Sequence, residues 1–224
     1  MFPIGNLIPY GDQNRRGAPI AWVNITLVAL NAVVFLYMLT LDQSQLESFV
    51  YRFGVIPAEI AQGQALYTLI TSQFVHGGFL HIIGNMFFLW VFGDNIELAL
   101  GHGLYALFYL LAGVLAGLTH VLFNLQSTIP SIGASGAIAG VLGAYIVLFP
   151  TRQVRVLVLV IPTRVSAVGF LGAWAVIQFF NGIASLGVPT AQTGGVAVWA
   201  HVGGFAAGLV AGILALHAGR QNRA

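Results

Sequence analysis

The chain contains no cysteine and no lysine, and charged residues make up only 6% of its 224 residues. The absence of cysteine excludes a disulfide framework, a thiolate metal site and a cysteine nucleophile. The absence of lysine excludes a Ser/Lys dyad and a Schiff base. Soluble domains carry about a quarter charged residues, so this chain has too little charge to cover a surface that faces water.

Hydrophobic residues make up 58% of the chain. This composition predicts an integral membrane protein, whose main partner is the lipid bilayer. The formal net charge is only +2 and the arginines form no basic cluster, which excludes a nucleic-acid partner. The composition leaves the oligomeric state open.

Six stretches are long and apolar enough to cross a bilayer, which takes about 20 residues in a helix. They lie at 21–41, 79–98, 104–125, 133–149, 165–183 and 196–216. We therefore predict an all-α, polytopic membrane protein with a membrane domain at 21–216, a short tail at 1–20 and another at 217–224. The apolar segment 154–161 is too short to cross, and we expect it to form a loop on the membrane surface.

The arginines predict the orientation, because short loops rich in arginine stay in the cytoplasm. With six spans, seven of the eight arginines fall on one side, and only Arg52 in the first long loop falls on the other. Both termini are then cytoplasmic. The seven are Arg15, Arg16, Arg152, Arg155, Arg164, Arg220 and Arg223.

Four polar residues stand near the outer ends of three predicted spans, where an unpaired polar group is costly. They are His81 and Asn85 in the second span, Ser135 in the fourth and His201 in the sixth. All lie within the first two turns of helices that enter from the outer face. At about 1.5 Å of rise per residue, they share a depth within about 10 Å of that face. This placement predicts one site.

The chemistry of the four residues follows by elimination. A serine nucleophile needs a base, and without lysine or a nearby carboxylate only histidine remains. Ser135 with His201 therefore predicts a nucleophile and its general base. His81 and Asn85 lie four residues apart on one helix face, where their side chains can donate to an oxyanion. The backbone N–H of Ser135, in the first turn of its helix, is a third donor.

Glycines recur every three or four residues in the spans of Ser135 and His201. Such small residues let helix backbones approach closely, as a hydrogen bond between Ser135 and His201 requires. The glycines are Gly136, Gly140 and Gly143 in the fourth span and Gly204, Gly208 and Gly212 in the sixth.

These motifs resemble those of the rhomboid intramembrane serine proteases. The matching runs are GASG at 133–136, H-x-x-x-N at 81–85, A-H-x-x-G at 200–204 and G-x-x-x-E-x-x-x-G at 93–101. The resemblance implies a six-helix rhomboid-like bundle that cleaves transmembrane protein substrates near the outer membrane face, without a cofactor or a metal. It also implies lateral substrate entry past the fifth span, and it favours the plasma membrane, or the inner membrane of a Gram-negative cell.

One position departs from the pattern of that family. Several relatives have an aromatic residue four positions after the serine that stacks on the catalytic histidine, and this chain has Ala139 there. Another residue must therefore orient His201, and the sequence does not identify it.

Two other classes of function remain to be weighed. A transporter could line a path with buried histidine and asparagine, but the polar cluster does not continue across the spans and no internal repeat is present. A catalytically silent rhomboid-like protein could bind transmembrane clients without cutting them. The intact Ser135 and His201 pair argues against this reading.

Overall fold

The computed structural model describes residues 7–11, 19–158, 161–186 and 197–221. The described elements, in chain order, are β1 (Leu7–Gly11), α1 (Trp22–Met38), α2 (Gln43–Phe53), α3 (Pro57–Ala61), α4 (Thr68–Thr71), a 3-10 turn (Ser72–Phe74), α5 (Phe79–Leu100), α6 (His102–Leu122), α7 (Ser135–Leu148), β2 (Gln153–Val158), β3 (Ile161–Ser166), α8 (Ala167–Ala184) and α9 (Val198–Gln221).

Four of these helices, α5, α6, α8 and α9, are long and apolar enough to cross a membrane. Two more apolar helices, α1 and α7, are shorter, at 17 and 14 residues. The molecule is therefore a mostly helical membrane protein. The count of six spans and the cytoplasmic position of the termini remain predictions. Arg15, Arg16 and Arg223, on which part of the orientation rests, lie outside the described residues.

Helix α7 lies at the centre of the bundle. Every residue from Gly136 to Tyr145 is buried. A helix that is apolar all round and rich in glycine and alanine is suited to such a position, because it presents no polar face and lets its neighbours pack closely. Ser135 is the first residue of this central helix.

The glycines of α7 and α9 bring the two helix backbones into contact. A Cβ atom at Gly204 would collide with the carbonyl oxygen of Gly136, and one at Gly208 would collide with that of Gly140. The predicted close approach of these two spans is confirmed. Its physical basis is that no side chain stands between the backbones.

Glu97, near the end of α5, holds the beginning of α1. Its carboxylate is fully buried and accepts hydrogen bonds from the backbone N–H groups of Val23 at 2.9 Å and Asn24 at 2.6 Å. It also pairs with the ring of His102 at the start of α6. A carboxylate at a helix N-terminus satisfies N–H groups that have no partner within the helix. Glu97 therefore connects three helices.

The glycines on either side of Glu97 allow the close packing and the sharp turn that these contacts require. A Cβ atom at Gly93 would collide with the side chains of Asn24 and Tyr105, which hydrogen-bond to each other at 2.7 Å. Gly101 has a φ of +81° at the sharp turn between α5 and α6, a conformation that residues with a side chain rarely adopt.

The surface loop predicted for 154–161 was wrong, because residues 154–158 and 161 lie in strands. Strands β2 and β3 form an antiparallel pair between α7 and α8. Val154 and Val156 are fully buried against the core while Arg155 between them is exposed, an alternation typical of a half-buried strand. The segment is mostly apolar, so its alternation of buried and exposed residues was not apparent from the sequence.

Strand β1 completes a three-stranded sheet in the order β1-β2-β3. It pairs with β2 and lies in segment 1–20, which was predicted to be a tail. The all-α prediction therefore describes the membrane helices and omits this sheet. Helix α8 begins at Ala167, two residues later than predicted, because Ser166 caps it by accepting a hydrogen bond from the N–H of Gly169 at 3.1 Å.

The long segment between α1 and α5 is folded. Asp42 and Gln45 form a capping box at the start of α2, and the N–H of Gln45 holds the pKa of the Asp42 carboxyl below its usual range. Residue Val55 forms an antiparallel bridge with Ser131, just before α7. This segment therefore packs beside the end of the bundle that carries Ser135.

Candidate active site

The structure brings Ser135 and His201 together. The Nε2 atom of His201 lies 2.8 Å from the Oγ atom of Ser135, a hydrogen-bond distance. His201 lies in the first turn of α9 and only 4% of it is exposed. The glycine contacts between α7 and α9 hold the two side chains at this separation.

A third side chain, from α8, contacts the opposite side of the His201 ring. The Nδ1 atom of His201 lies 2.7 Å from the Oε1 atom of Gln178, and Gln178 is 1% exposed. No motif or spacing in the sequence predicts a role for Gln178. An amide inside an apolar span was the available signal, since such a group needs a partner.

The aromatic neighbour of His201 also comes from α8. The ring centroids of Trp174 and His201 lie 5.8 Å apart, and Trp174 is fully buried. Ala139 is fully buried as well and lies where α7 contacts α9, since a Cβ atom at Gly204 would lie 3.3 Å from that of Ala139. A bulky ring at position 139 would push these helices apart.

His81 and Asn85 lie beside the residue two positions before Ser135. A Cβ atom added to Gly133 would lie 2.7 Å from His81 Nε2 and 3.7 Å from Asn85 Nδ2. Gly133 has a φ of +122° and donates its N–H to the carbonyl oxygen of Ser72 at 2.9 Å. Glycine therefore satisfies two constraints here, the positive φ and the close approach of the imidazole.

The hydrogen-bonding state of His81 follows from its neighbour. The backbone N–H of Gly77 donates to His81 Nδ1 at 3.4 Å, which places the proton of the neutral ring on Nε2. That nitrogen faces Gly133. His81 is thus a donor directed toward the backbone that leads to Ser135.

Asn85 is 1% exposed, yet neither atom of its amide has a hydrogen-bond partner within the part of the chain that the structure describes. Buried amides are almost always paired in folded proteins. An unpaired amide donor near Gly133, two residues before the Ser135 hydroxyl, is free to bind an oxyanion, whose charge exists only during a reaction.

His76, in the turn before α5, lies against His81 with ring centroids 5.0 Å apart. Burial, with a smaller contribution from His81, lowers the pKa of His76 from 6.5 to about 3. Its imidazole is therefore neutral at physiological pH.

An apolar groove of about 310 Å³ opens between α8 and α9 and reaches both Gln178 and His201. Trp174, Phe179 and Phe205 are among the residues that line it. Among the described residues, no group of three or more His, Asp or Glu side chains is placed to hold a metal ion. The chemistry that this arrangement allows is attack by a serine hydroxyl with histidine as the base.

Comparison with known proteins finds one matching family and several relatives of similar sequence. The family model described as the Rhomboid domain matches residues 63–218. RHOMBOID-like protein 4 of Arabidopsis thaliana is 30% identical over 170 residues, which cover 73% of this chain and 37% of that protein. Mitochondrial Rhomboid protein 1 of Saccharomyces cerevisiae is 33% identical over 150 residues, covering 65% of this chain and 40% of that protein.

Rhomboid protease GluP of Bacillus subtilis is 41% identical over 85 residues, which cover 38% of this chain and 16% of the protease. In all three comparisons the chain spans less than half the length of the curated relative. The match to the Rhomboid domain covers more than half of this chain, and the chain belongs to the rhomboid family.

Proposed function

We propose that this protein is an intramembrane serine endopeptidase that cleaves transmembrane proteins near the outer membrane face. Ser135 is the nucleophile and His201 its general base. The observation that carries the proposal is the 2.8 Å separation between His201 Nε2 and Ser135 Oγ in a buried, membrane-embedded site.

The reaction is acyl transfer in two stages. Ser135 Oγ attacks the peptide carbonyl carbon while its proton passes to His201 Nε2. The tetrahedral intermediate collapses, His201 protonates the leaving amine, and an acyl-enzyme ester remains. Water then attacks this ester with His201 again as the base, which releases the new carboxylate and restores the serine hydroxyl.

Three donors surround the position where the negative charge of the tetrahedral intermediate develops. Two of them are His81 Nε2–H and the Asn85 amide, which lie close to the backbone at Gly133. The Ser135 N–H has no partner within α7, because it begins the helix, and the positive end of the helix dipole adds to its effect. Donors fixed in this way stabilise the oxyanion without reorganising.

In the proposed topology, six helices cross the membrane and both termini are cytoplasmic. The sheet β1-β2-β3, which carries Arg155 and Arg164, then lies on the cytoplasmic side. Ser135 and His201 lie at the opposite end, near the outer face of a plasma membrane or of a bacterial inner membrane. The distribution of arginines supports this orientation.

The substrates are transmembrane proteins whose helices unwind easily. A helix hides its peptide groups in internal hydrogen bonds, so the segment at the scissile bond must open before Ser135 can reach it. Segments rich in glycine are favoured for this reason. Entry is lateral, past α8, whose Phe179 and Phe180 are exposed toward the lipid.

The test uses purified protein in liposomes with a labelled transmembrane substrate. The wild type should cleave it, whereas Ser135→Ala and His201→Ala should not. Equal cleavage by all three would exclude the proposal. Binding of the substrate without cleavage by the wild type would instead favour a catalytically silent, client-binding protein.

A further inference from the structure

We infer that Gln178 is the third member of the catalytic group, a positioning residue that fixes His201 in the tautomer required for attack. The inference rests on the proposed serine protease function and deepens it. It assigns to α8 a part in catalysis that the Ser135 and His201 pair alone does not include.

The argument begins with the two ring nitrogens of His201. A neutral imidazole has one N–H, which is on either Nδ1 or Nε2. The Oε1 atom of Gln178 carries no hydrogen and lies 2.7 Å from Nδ1, so Nδ1 must donate to it. Nε2 is then left with a lone pair that faces the Ser135 hydroxyl at 2.8 Å. This is the only neutral tautomer in which His201 can accept the serine proton.

The same contact persists through the reaction. When the Ser135 proton moves to Nε2, the ring becomes an imidazolium whose Nδ1–H still donates to Gln178. When Nε2 gives its proton to the leaving amine, the original tautomer returns. No proton passes to the amide at any step, so Gln178 orients the ring and partly balances its charge without being changed.

A neutral residue suits this position. Carboxylates hold the histidine in many serine proteases, but a buried carboxylate in a membrane is costly unless it is fully paired. The amide offers an acceptor oxygen of similar geometry without that charge. Gln178 Oε1 provides this acceptor for His201 Nδ1 from α8.

Water is a poor substitute for this amide oxygen. Gln178 is 1% exposed, and the groove that reaches it is lined mainly by apolar side chains. A water held in such a place would find few partners. With Ala139 in α7 instead of an aromatic ring, the Gln178 hydrogen bond and the Trp174 contact are what orient His201 from α8.

The experiment compares wild type, Gln178→Leu and Gln178→Glu in liposomes with a labelled transmembrane substrate. Leucine keeps the approximate size and removes the acceptor, and kcat should fall about 10- to 100-fold, as for loss of one buried hydrogen bond. KM should change less than kcat. Glutamate restores an acceptor oxygen, so its kcat should exceed that of the leucine variant.

A matched control is Gln73→Leu. Gln73 is also buried, and its amide donates to the carbonyl oxygens of Leu69 at 2.9 Å and Leu110 at 3.3 Å. This variant should lower thermal stability while leaving kcat of the folded enzyme unchanged. The comparison separates the loss of a buried amide from the loss of the His201 contact.

A spectroscopic measurement reports the tautomer directly. The chain has six histidines, so ¹⁵N-histidine labelling gives few NMR signals, and His201→Ala assigns the one in question. In the wild type, Nδ1 of His201 should be protonated and Nε2 should not. In Gln178→Leu the signal should shift toward a mixture of tautomers, and in Gln73→Leu it should not.

Unchanged kcat and an unchanged His201 signal in Gln178→Leu would overturn the inference. So would a Gln178→Glu variant that folds and is no more active than the leucine variant. Failure of the protease proposal can be distinguished from this result. In that case wild type and Ser135→Ala would cleave the substrate equally. The His201 NMR signal would still report whether Gln178 sets the tautomer.

Discussion

Replacement of Glu97 by glutamine tests how the bundle is held together. Glu97 accepts from the N–H groups of Val23 and Asn24 and pairs with His102. Glutamine has the same shape, but one carboxylate oxygen becomes an NH₂ group. That group would face a backbone N–H, so one hydrogen bond is replaced by a contact between two donors.

The magnitude follows from the burial of the site. A hydrogen bond to a charged group contributes about 1.5–3 kcal/mol, and a charge at a helix N-terminus adds about 0.3–1 kcal/mol. Glutamine loses one such bond and the charge but keeps one acceptor. We therefore expect Glu97→Gln to lower the free energy of unfolding by about 2–4 kcal/mol.

Thermal unfolding in detergent measures this change. For a chain of this size, 1 kcal/mol corresponds to about 2–4 °C, so the midpoint should fall by about 5–15 °C. Glu47→Gln is the matched control, because Glu47 is exposed on α2 and its loss should change the midpoint little. If the two variants unfold at the same temperature, the carboxylate does not hold α1 in the way described.

Three further predictions follow from the site and its supports. Asn85→Ala should lower kcat by about 10²–10³-fold in steady-state kinetics, as for removal of an oxyanion donor. An unchanged kcat would show that backbone donors suffice. Gly208→Ala should destabilise the protein by at least about 1–3 kcal/mol and reduce cleavage, because its Cβ would collide with the Gly140 carbonyl, whereas Gly172→Ala, with nothing within 4 Å, should not. Burial lowers the pKa of His76 from 6.5 to about 3 in the folded protein, so between these pH values His76 takes up a proton only on unfolding. As pH falls through this range, His76 should lower the free energy of unfolding by up to about 1.4 kcal/mol per pH unit. His76→Phe should reduce this slope in pH-dependent thermal melts.

Much of the candidate site could be predicted from the sequence because polar residues are rare within these helices. Ser135, His201, His81 and Asn85 each stood out against an apolar background, and helix order placed them at one end of the bundle. Gln178 also stood in an apolar span, but no motif or spacing related it to His201. Only the packing of α8 against α9 brings the two together.

The sheet was harder to predict for a physical reason. Strand β2 is apolar enough to resemble a membrane-surface segment, and its alternation is short. Its partner β1 lies more than 140 residues away along the chain, and local patterns carry no information about such pairing. The helix ends lie within five residues of prediction. Helix α8 begins two residues late because strand β3 uses residues 165 and 166, which the apolar count had assigned to the span.

Covalent labelling of Ser135 tests the central claim most directly. A fluorophosphonate reacts with an activated serine, whose oxygen bonds to phosphorus as fluoride leaves, and mass spectrometry of the digested protein locates the adduct. The account predicts one modified residue, Ser135, and loss of labelling in both Ser135→Ala and His201→Ala. An unlabelled wild type, or equal labelling of the His201→Ala variant, would contradict it.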